Sequence, residues 1–376
     1  MLQSKIKVIY FTGSWSDYAL MVPILETLKL EKMVELGLVV THMHLDERFG
    51  LTVKQIFEKG FKIIGKIKTE IVESQIGMLS EYQVIIKELP PILLRYRPNY
   101  VLIQGDRIES AAAAMTAYLL RIPIIHIGGG CITGSLDNDF RNIITDLADW
   151  HFPPTKTDAK RIVSNGKPKN SVFAIGEPGI DSAVKTKLLP KKNLWKKFNL
   201  DSNQKLLLVI FHPDTGEKRI GPAEQIQPLL TVLSGIRHQI FQINPNADTG
   251  GIVMRRLIVK SSGEKSNWQV INNLPHQQLL TFFKYADAII GNSSAAIVEA
   301  PSFKLPVINI GRRQKGRQMA KNILSVTYDS KQISRALKTA LSQDFKQILH
   351  NCKNLYGDGN AADRFIKIFK NKILKI

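Results

Sequence analysis

Cysteine is almost missing from this chain: Cys131 and Cys352 are the only two in 376 residues. Two thiols cannot build a secreted disulfide framework or a four-thiolate zinc site, and they point to a reducing compartment. Long apolar runs are missing as well, none reaching the roughly 18 residues that a membrane span needs. The opening Met1-Leu2-Gln3-Ser4-Lys5-Ile6-Lys7 has neither the apolar region nor the small-residue cleavage site of a signal peptide. The expectation is a cytoplasmic protein without a membrane partner. Acidic residues are scarce, 32 against 52 basic ones, which leaves a formal charge of +20. Such an excess suits nucleic acid, a membrane surface or anionic small molecules. The basic runs, Lys185 to Lys197 and Lys367 to Lys375, lack interleaved aromatic platforms and match no zinc-finger or RNA-recognition signature. They read as solvated faces, and nucleic acid is not expected as a partner. The histidines and cysteines show no metal-ligand spacing, so no metal and no cofactor is expected. No internal repeat is evident.

What is present describes a globular α/β protein. Hydrophobic residues make up 44% and charged residues 22%, and the length allows two domains with their own cores. Apolar runs at Lys7 to Phe11, Leu36 to Thr41, Tyr100 to Gln104 and Ile122 to Ile127 read as strands. Leu20, Ile24 and Leu28, with Met21 and Leu25 alongside, give a helical face over about Asp17 to Leu30, and Ala111 to Leu120 reads as a second helix. Strand–helix–strand at this rhythm argues a parallel sheet with right-handed crossovers. The lysine-rich, proline-containing segment Ile180 to Asp201 breaks the pattern and reads as a hinge. The alternation then resumes at Leu206 to Phe211, Gln239 to Asn244, Gln269 to Ile271, Ala288 to Ile290 and Val307 to Ile310. Two doubly wound halves predict ligand at the carboxyl ends of the strands, in a cleft between domains.

Polar residues gather at those ends. Gly105-Asp106-Arg107-Ile108-Glu109 follows one strand; His126-Ile127-Gly128-Gly129-Gly130-Cys131 and then Asp137-Asn138-Asp139 follow another. His212-Pro213 and Asn244-Pro245-Asn246-Ala247-Asp248 do the same in the second half. A lone aspartate there is commonly a helix cap and a lone histidine commonly packed; it is their number that points to an active site. The passage Gly291-Asn292-Ser293-Ser294-Ala295-Ala296, a strand running into a helix near Ser294, suits an anion held by backbone N–H groups. Arg313 and Arg317, four apart, would share a helical face beside a diphosphate. The plainer reading, a strand–turn–helix with a solvated basic patch, fits the spacing equally well.

Several passages in order resemble the hydrolysing UDP-N-acetylglucosamine 2-epimerases. They are Thr41-His42-Met43-His44-Leu45, Gly105-Asp106-Arg107, Gly176-Glu177-Pro178-Gly179-Ile180-Asp181, Asn244 to Gly251, the block Gly291 to Arg317 and Tyr356-Gly357-Asp358-Gly359-Asn360-Ala361. The resemblance implies two Rossmann-like doubly wound domains of the glycosyltransferase-B type. Residues 1–183 would carry the sugar and the catalytic acids, 184–355 the nucleotide diphosphate, and 356–376 a C-terminal helix returning to the first domain. It implies conversion of UDP-N-acetylglucosamine to UDP and N-acetylmannosamine, by elimination of UDP and hydration of a 2-acetamidoglucal, within sialic-acid-type sugar biosynthesis. It also implies a homo-oligomer, dimer or tetramer. By the same resemblance Asp106, Asp137 and His212 are catalytic. Gly13, His44, Arg107, Glu109, His126, Asn246, Gly291, Ser293, Ser294, Glu299 and Arg313 are substrate contacts, with Ser293 and Ser294 on the diphosphate and Glu299 on the ribose hydroxyls.

This chain departs from the family pattern at specific places. Trp15 follows Gly13-Ser14 where the family has arginine, and Gly128 and Cys131 stand in the acidic places of a His-Ile-Glu-Gly-Gly-Glu pattern. Asn138 replaces the second acid of an Asp-Asp pair, and Lys321 stands where glutamate is common. Glycine shuttles no protons, and a thiol with a pKa of about 8.5 is a poor substitute for a carboxylate. Three readings therefore stand: an epimerase whose remaining acids (Asp106, Glu109, Asp137 and Asp139) move the protons, a 2-epimerase of a GDP- or UDP-linked diacetamido sugar on a legionaminic-acid-type route, or a nucleotide-sugar-binding homologue that has lost catalysis. A glycosyltransferase fits the ordered motifs less well.

Overall fold

In this computed structural model, which describes residues 5–71, 74–245, 248–263 and 265–375, the chain forms two compact units. The first comprises Met1–Cys131, Asp137–Val184 and Tyr356–Ile376; the second comprises Ile132–Leu136 and Lys185–Leu355.

The first unit is built on six parallel strands, β1 (Ile6–Thr12), β2 (Val34–Thr41), β3 (Ile63–Ile67), β4 (Tyr100–Gln104), β5 (Ile124–Ile127) and β6 (Trp150–Phe152), in the order β3-β2-β1-β4-β5-β6. β1 pairs with β2 through Val8↔Leu36 and with β4 through Val8↔Tyr100. Alternation along β1 assigns its two faces. Val8 and Tyr10 pack with Met21, Ile24 and Leu28 of helix Trp15–Leu30, and with Phe365 of helix Ala361–Ile368. Ile9 and Phe11 pack with Ile85, Leu89 and Leu93 of helix Gln75–Tyr96, and with the alanines of helix Ile108–Leu119. Each strand is apolar on both faces because helices cover both, which is the signature of a doubly wound sheet. The C-terminal helix returns to this unit, its first N–H groups held by Asp181: Ala361 N and Ala362 N donate to the two carboxylate oxygens at 2.8 Å each.

The second unit repeats the winding with β7 (Leu206–Ile210), β8 (Gln239–Ile243), β9 (Trp268–Ile271), β10 (Ala288–Gly291), β11 (Val307–Ile310) and β12 (Ile323–Val326), in the order β12-β11-β10-β7-β8-β9. Leu207, Val209 and Phe211 pack against Ile226, Leu229, Leu230 and Leu233 of helix Pro222–Ser234. The order reverses between β1 and β4 in one sheet and between β7 and β10 in the other. Those two switch points are where doubly wound folds bind ligands.

Three strands have no counterpart in the sequence reading. β3 and β12 are sheet edges with mostly half-buried residues, and β6 is only three residues long. Edge strands lack the continuous apolar run that marks a central one. The segment read as a hinge contains the boundary between the two units, at Val184 and Lys185, and much of it is helical, in Pro178–Lys185 and Lys191–Lys197, where the lysines of the latter surround buried Leu194 and Trp195. One expectation is corrected. Arg313 and Arg317 share no helix. Residues 311–317 form turns, with Lys315 N donating to Arg312 O and Arg317 N to Gln314 O, and with Gly311 and Gly316 in left-handed conformations.

Candidate functional site

At the first unit's switch point the β1 turn is closed by its own helix. Ser14 caps helix Trp15–Leu30, and Asp17 returns a carboxylate to the N–H groups of Gly13 and Ser14, each 3.1 Å away. Thr12 donates to the other oxygen of Asp17. His44 lies 2.9 Å from Thr12 Oγ1 through Nε2 and 2.7 Å from Thr52 Oγ1 through Nδ1. Thr52, His44, Thr12 and Asp17 thus form one hydrogen-bonded chain. Burial pushes Asp17 up to about 7, against the opposing effect of its hydrogen bonds, and pushes His44 down to about 3. Asp17 was not singled out from sequence as a site residue; the spacing Ser14-x-x-Asp17 is a capping-box signal that could have found it.

Beside that turn, Asp106 follows β4 and pairs with Arg141, which is 1% exposed and also donates to Cys131 O at 3.1 Å. Arg107 is the N-cap residue of helix Ile108–Leu119, and its Nε donates to Glu109 Oε1 at 2.6 Å. Glu109 is fully buried against Gly13, where a Cβ would come within 2.6 Å of Glu109 Cγ. His126, on β5, has Nε2 3.1 Å from Gly105 O and Nδ1 3.1 Å from Thr145 Oγ1. Burial lowers His126 to about 4. Both nitrogens of His44 and of His126 are therefore engaged inside the unit, so these neutral rings shape the turns. Asp137 opens helix Asp137–Leu147, half-buried, next to Asn138. Gly128 has φ 84°, and nothing lies within 4 Å of where its Cβ would be. Cys131 is buried, and Trp15 packs against Tyr18 with ring centroids 5.3 Å apart.

The second unit's switch point is held by Asn292. Its Nδ2 donates to His212 O at 2.8 Å, and its Oδ1 accepts from His212 N at 2.7 Å. Gln314 Nε2 donates to Asn292 O at 2.9 Å and Arg313 Nη1 to the same oxygen at 3.4 Å. These bonds gather the ends of β7 and β10 and the 311–317 turn. Gly291 has φ 149°, and a Cβ there would fall 1.9 Å from Ile210 O. Ser293 is the N-cap residue and Ser294 the first residue of helix Ser294–Val298. Arg313 also faces Asp248 at 3.7 Å. Glu299, 2% exposed, lies 2.7 Å from His276 Nε2. Burial lowers the His276 pKa, but Glu299 outweighs it and the net shift is upward. Asn246 lies outside the described residues. His276 was not foreseen, since nothing in sequence relates it to a glutamate 23 positions away.

The expected site residues thus fall in two sets. Gly13, Asp106, Arg107 and Glu109 surround one switch point, with His44 and His126 bonded into its turns; His212, Gly291, Ser293, Ser294 and Arg313 surround the other, and Glu299 follows from the helix that Ser294 begins. A sequence model of UDP-N-acetylglucosamine 2-epimerase matches residues 26–370. The chain belongs to that family. A UDP-N,N'-diacetylbacillosamine 2-epimerase (hydrolyzing) of Legionella pneumophila is 31% identical over 97% of this chain and 95% of its own. A GDP/UDP-N,N'-diacetylbacillosamine 2-epimerase (hydrolyzing) of Campylobacter jejuni is 30% identical over 92% and 90%. Among solved structures, UDP-GlcNAc 2-epimerase from Neisseria meningitidis bound to UDP-GlcNAc superposes with a TM-score of 0.82, at 20% identity, over 99% of this chain and all of that one. The likeness to that structure carries the fold: two Rossmann-like domains of the glycosyltransferase-B type. Among the described residues no helix is long and apolar enough to cross a membrane.

Proposed function

We propose that this epimerase-family chain is a hydrolysing 2-epimerase acting on a UDP-linked 2-acetamido sugar. The observation that carries the reading is the gathering of acids at one switch point and of the Asn292–Arg313 loop at the other, within a chain of this family. In the proposed reaction a base takes the C2 proton, UDP leaves from C1, and water adds to the resulting 2-acetamidoglucal with inversion at C2. Breaking the C1–O bond loads positive charge on the ring, so carboxylates belong beside it. Asp106, oriented by Arg141, and Asp137 are assigned the proton transfers. Arg313 and the Ser293–Ser294 helix start are assigned the departing diphosphate, where cations and N–H groups stabilise developing charge. His212 is assigned to the same leaving group and Glu299 to the ribose hydroxyls. A cytoplasmic location and a homo-oligomer belong to this proposal.

For the sugar, both relatives above are diacetylbacillosamine epimerases, at 31% and 30% identity, which favours a 2,4-diacetamido sugar over UDP-N-acetylglucosamine. Nucleoside diphosphate release (UDP or GDP) from a panel of UDP- and GDP-linked amino sugars, with chromatography of the freed sugar, tests both. UDP release from UDP-N-acetylglucosamine alone removes the diacetamido reading. Folded protein that binds UDP but turns over no sugar removes the epimerase and leaves a binding protein, for which the glycine at position 128 would then account.

A further inference from the structure

Four ionisable side chains meet near the β2 and β4 ends of the first unit. His42 follows β2, Glu81 comes from helix Gln75–Tyr96, and Arg107 and Glu109 come from the start of helix Ile108–Leu119. His42 Nδ1 lies 2.7 Å from Glu81 Oε1, and Arg107 Nε lies 2.6 Å from Glu109 Oε1. One side-chain ligand atom each from His42, Glu81 and Glu109 lies within 4.8 Å of the others, so the two pairs make one quartet. A histidine with two carboxylates is also a donor set for a divalent metal. Here the guanidinium of Arg107 already sits on Glu109 and takes the cation's place, and a second cation would face it at close range.

The quartet is graded in burial. The side chains of His42 and Glu81 are each 5% exposed, Glu109 is fully buried, and Arg107 is 20% exposed. Arg107 is the most exposed member and is next in sequence to Asp106. His42 adopts φ 53°, a left-handed conformation that persists only where the surroundings hold it. Burial and the charge of Glu109 raise the pKa of Glu81, an effect that His42 and Arg107 oppose. Burial raises Glu109 too, but Arg107 and His42 outweigh it and the net shift is downward. Both carboxylates are thus influenced by His42 and Arg107, and each lies against its own partner.

We propose that His42 is a positioning residue for the epimerase reaction: by engaging Glu81 it keeps that carboxylate from drawing Arg107 away from Glu109, and so holds the guanidinium in place one residue along the chain from Asp106. A buried carboxylate that loses its partner seeks the nearest cation, because an unpaired buried charge is costly. Arg107 is a cation whose charge already acts on Glu81. A displacement of about 1 Å in a substrate-positioning group costs on the order of 10²-fold in rate.

The inference rests on the proposed function, and the experiment separates the two. His42→Asn, Glu81→Gln and the double variant are compared with wild type in kcat, KM and the ¹⁵N-arginine Nε–H resonance of Arg107. His42→Asn is expected to lower kcat by roughly 10²-fold with KM little changed, and to move the Arg107 signal. Glu81→Gln, which removes the competing carboxylate, stays near wild type, and the double variant recovers both readouts. A merely structural role makes the double variant at least as impaired as His42→Asn, and that result overturns the inference, as does wild-type behaviour of His42→Asn. If His42→Asn alone does not fold, the double variant must fold and match Glu81→Gln; its failure also counts against the idea. If wild type releases UDP from no nucleotide sugar, the proposed function fails, and the Arg107 resonance alone decides whether His42 positions it.

Discussion

Asn292 clasps the backbone of His212 from both sides, its side-chain amide donating to the carbonyl and accepting from the N–H at 2.8 and 2.7 Å. The side chain is fully buried and joins the ends of two strands that are neighbours in the sheet but 80 residues apart in the chain. Asn292→Ala removes both hydrogen bonds to the half-buried His212 backbone, at a net cost of about 0.5–1.5 kcal/mol for each. The expected outcome is a lower urea midpoint and UDP affinity weakened at least tenfold, measured by calorimetry on protein that remains folded. Unchanged affinity would detach this clasp from the nucleotide site.

The β1 turn carries its own pH dependence. Asp17 holds a proton up to about pH 7 in the folded chain but releases it near 3.8 when unfolded. Between those values the unfolded state binds fewer protons, so this contribution to stability falls as pH rises and is lost above the folded value. Denaturant midpoints from pH 4 to 8 should therefore fall less steeply in Asp17→Asn than in wild type. A parallel pair of profiles would show that Asp17 titrates normally.

His276 gives a second, separable profile. Its pKa is raised by Glu299, so the pair stabilises the fold below the unfolded histidine value of about 6.5 and loses that contribution as pH rises through the folded value. His276→Gln should destabilise the protein at pH 6 and change little at pH 9, read from thermal midpoints at both. Equal losses at the two values would assign His276 a packing role instead.

By the resemblance of its loop to the family pattern, Gly128 stands where a glutamate is expected. A Cβ at this position meets open space, but φ is 84°, so a side chain is strained although uncrowded. Gly128→Glu is expected to fold with a loss of about 1–2 kcal/mol and to raise UDP release if a missing carboxylate limits the rate. No gain in single-turnover rate would mean that the remaining acids suffice or that the chemistry is arranged differently.

Gly291 leaves no such freedom. A Cβ 1.9 Å from Ile210 O cannot be relieved by a rotamer change, because the obstacle is backbone in the neighbouring strand. Gly291→Ala should lower soluble yield and the unfolding midpoint far more than Gly128→Ala, which meets strain alone.

The sequence by itself determined the class of this fold and much of its element order. Central strands such as Tyr100–Gln104 and Val307–Ile310 are apolar along their whole length, because helices cover both faces, and that requirement is written locally. The motif order likewise determined the family. Edge strands β3, β6 and β12 escaped notice because a strand with one neighbour needs no continuous apolar run. The 311–317 segment was misread as helical because spacing alone does not tell a helix from successive turns closed by left-handed glycines. Tertiary structure alone decided which polar residues are tied to which distant partners. His44 and His126 have both ring nitrogens engaged within the first unit, and His42, Glu81, His276 and Asn292 find partners 23 to 80 positions away. Burial and pairing of charge depend on which distant segments meet, and local pattern carries no record of that.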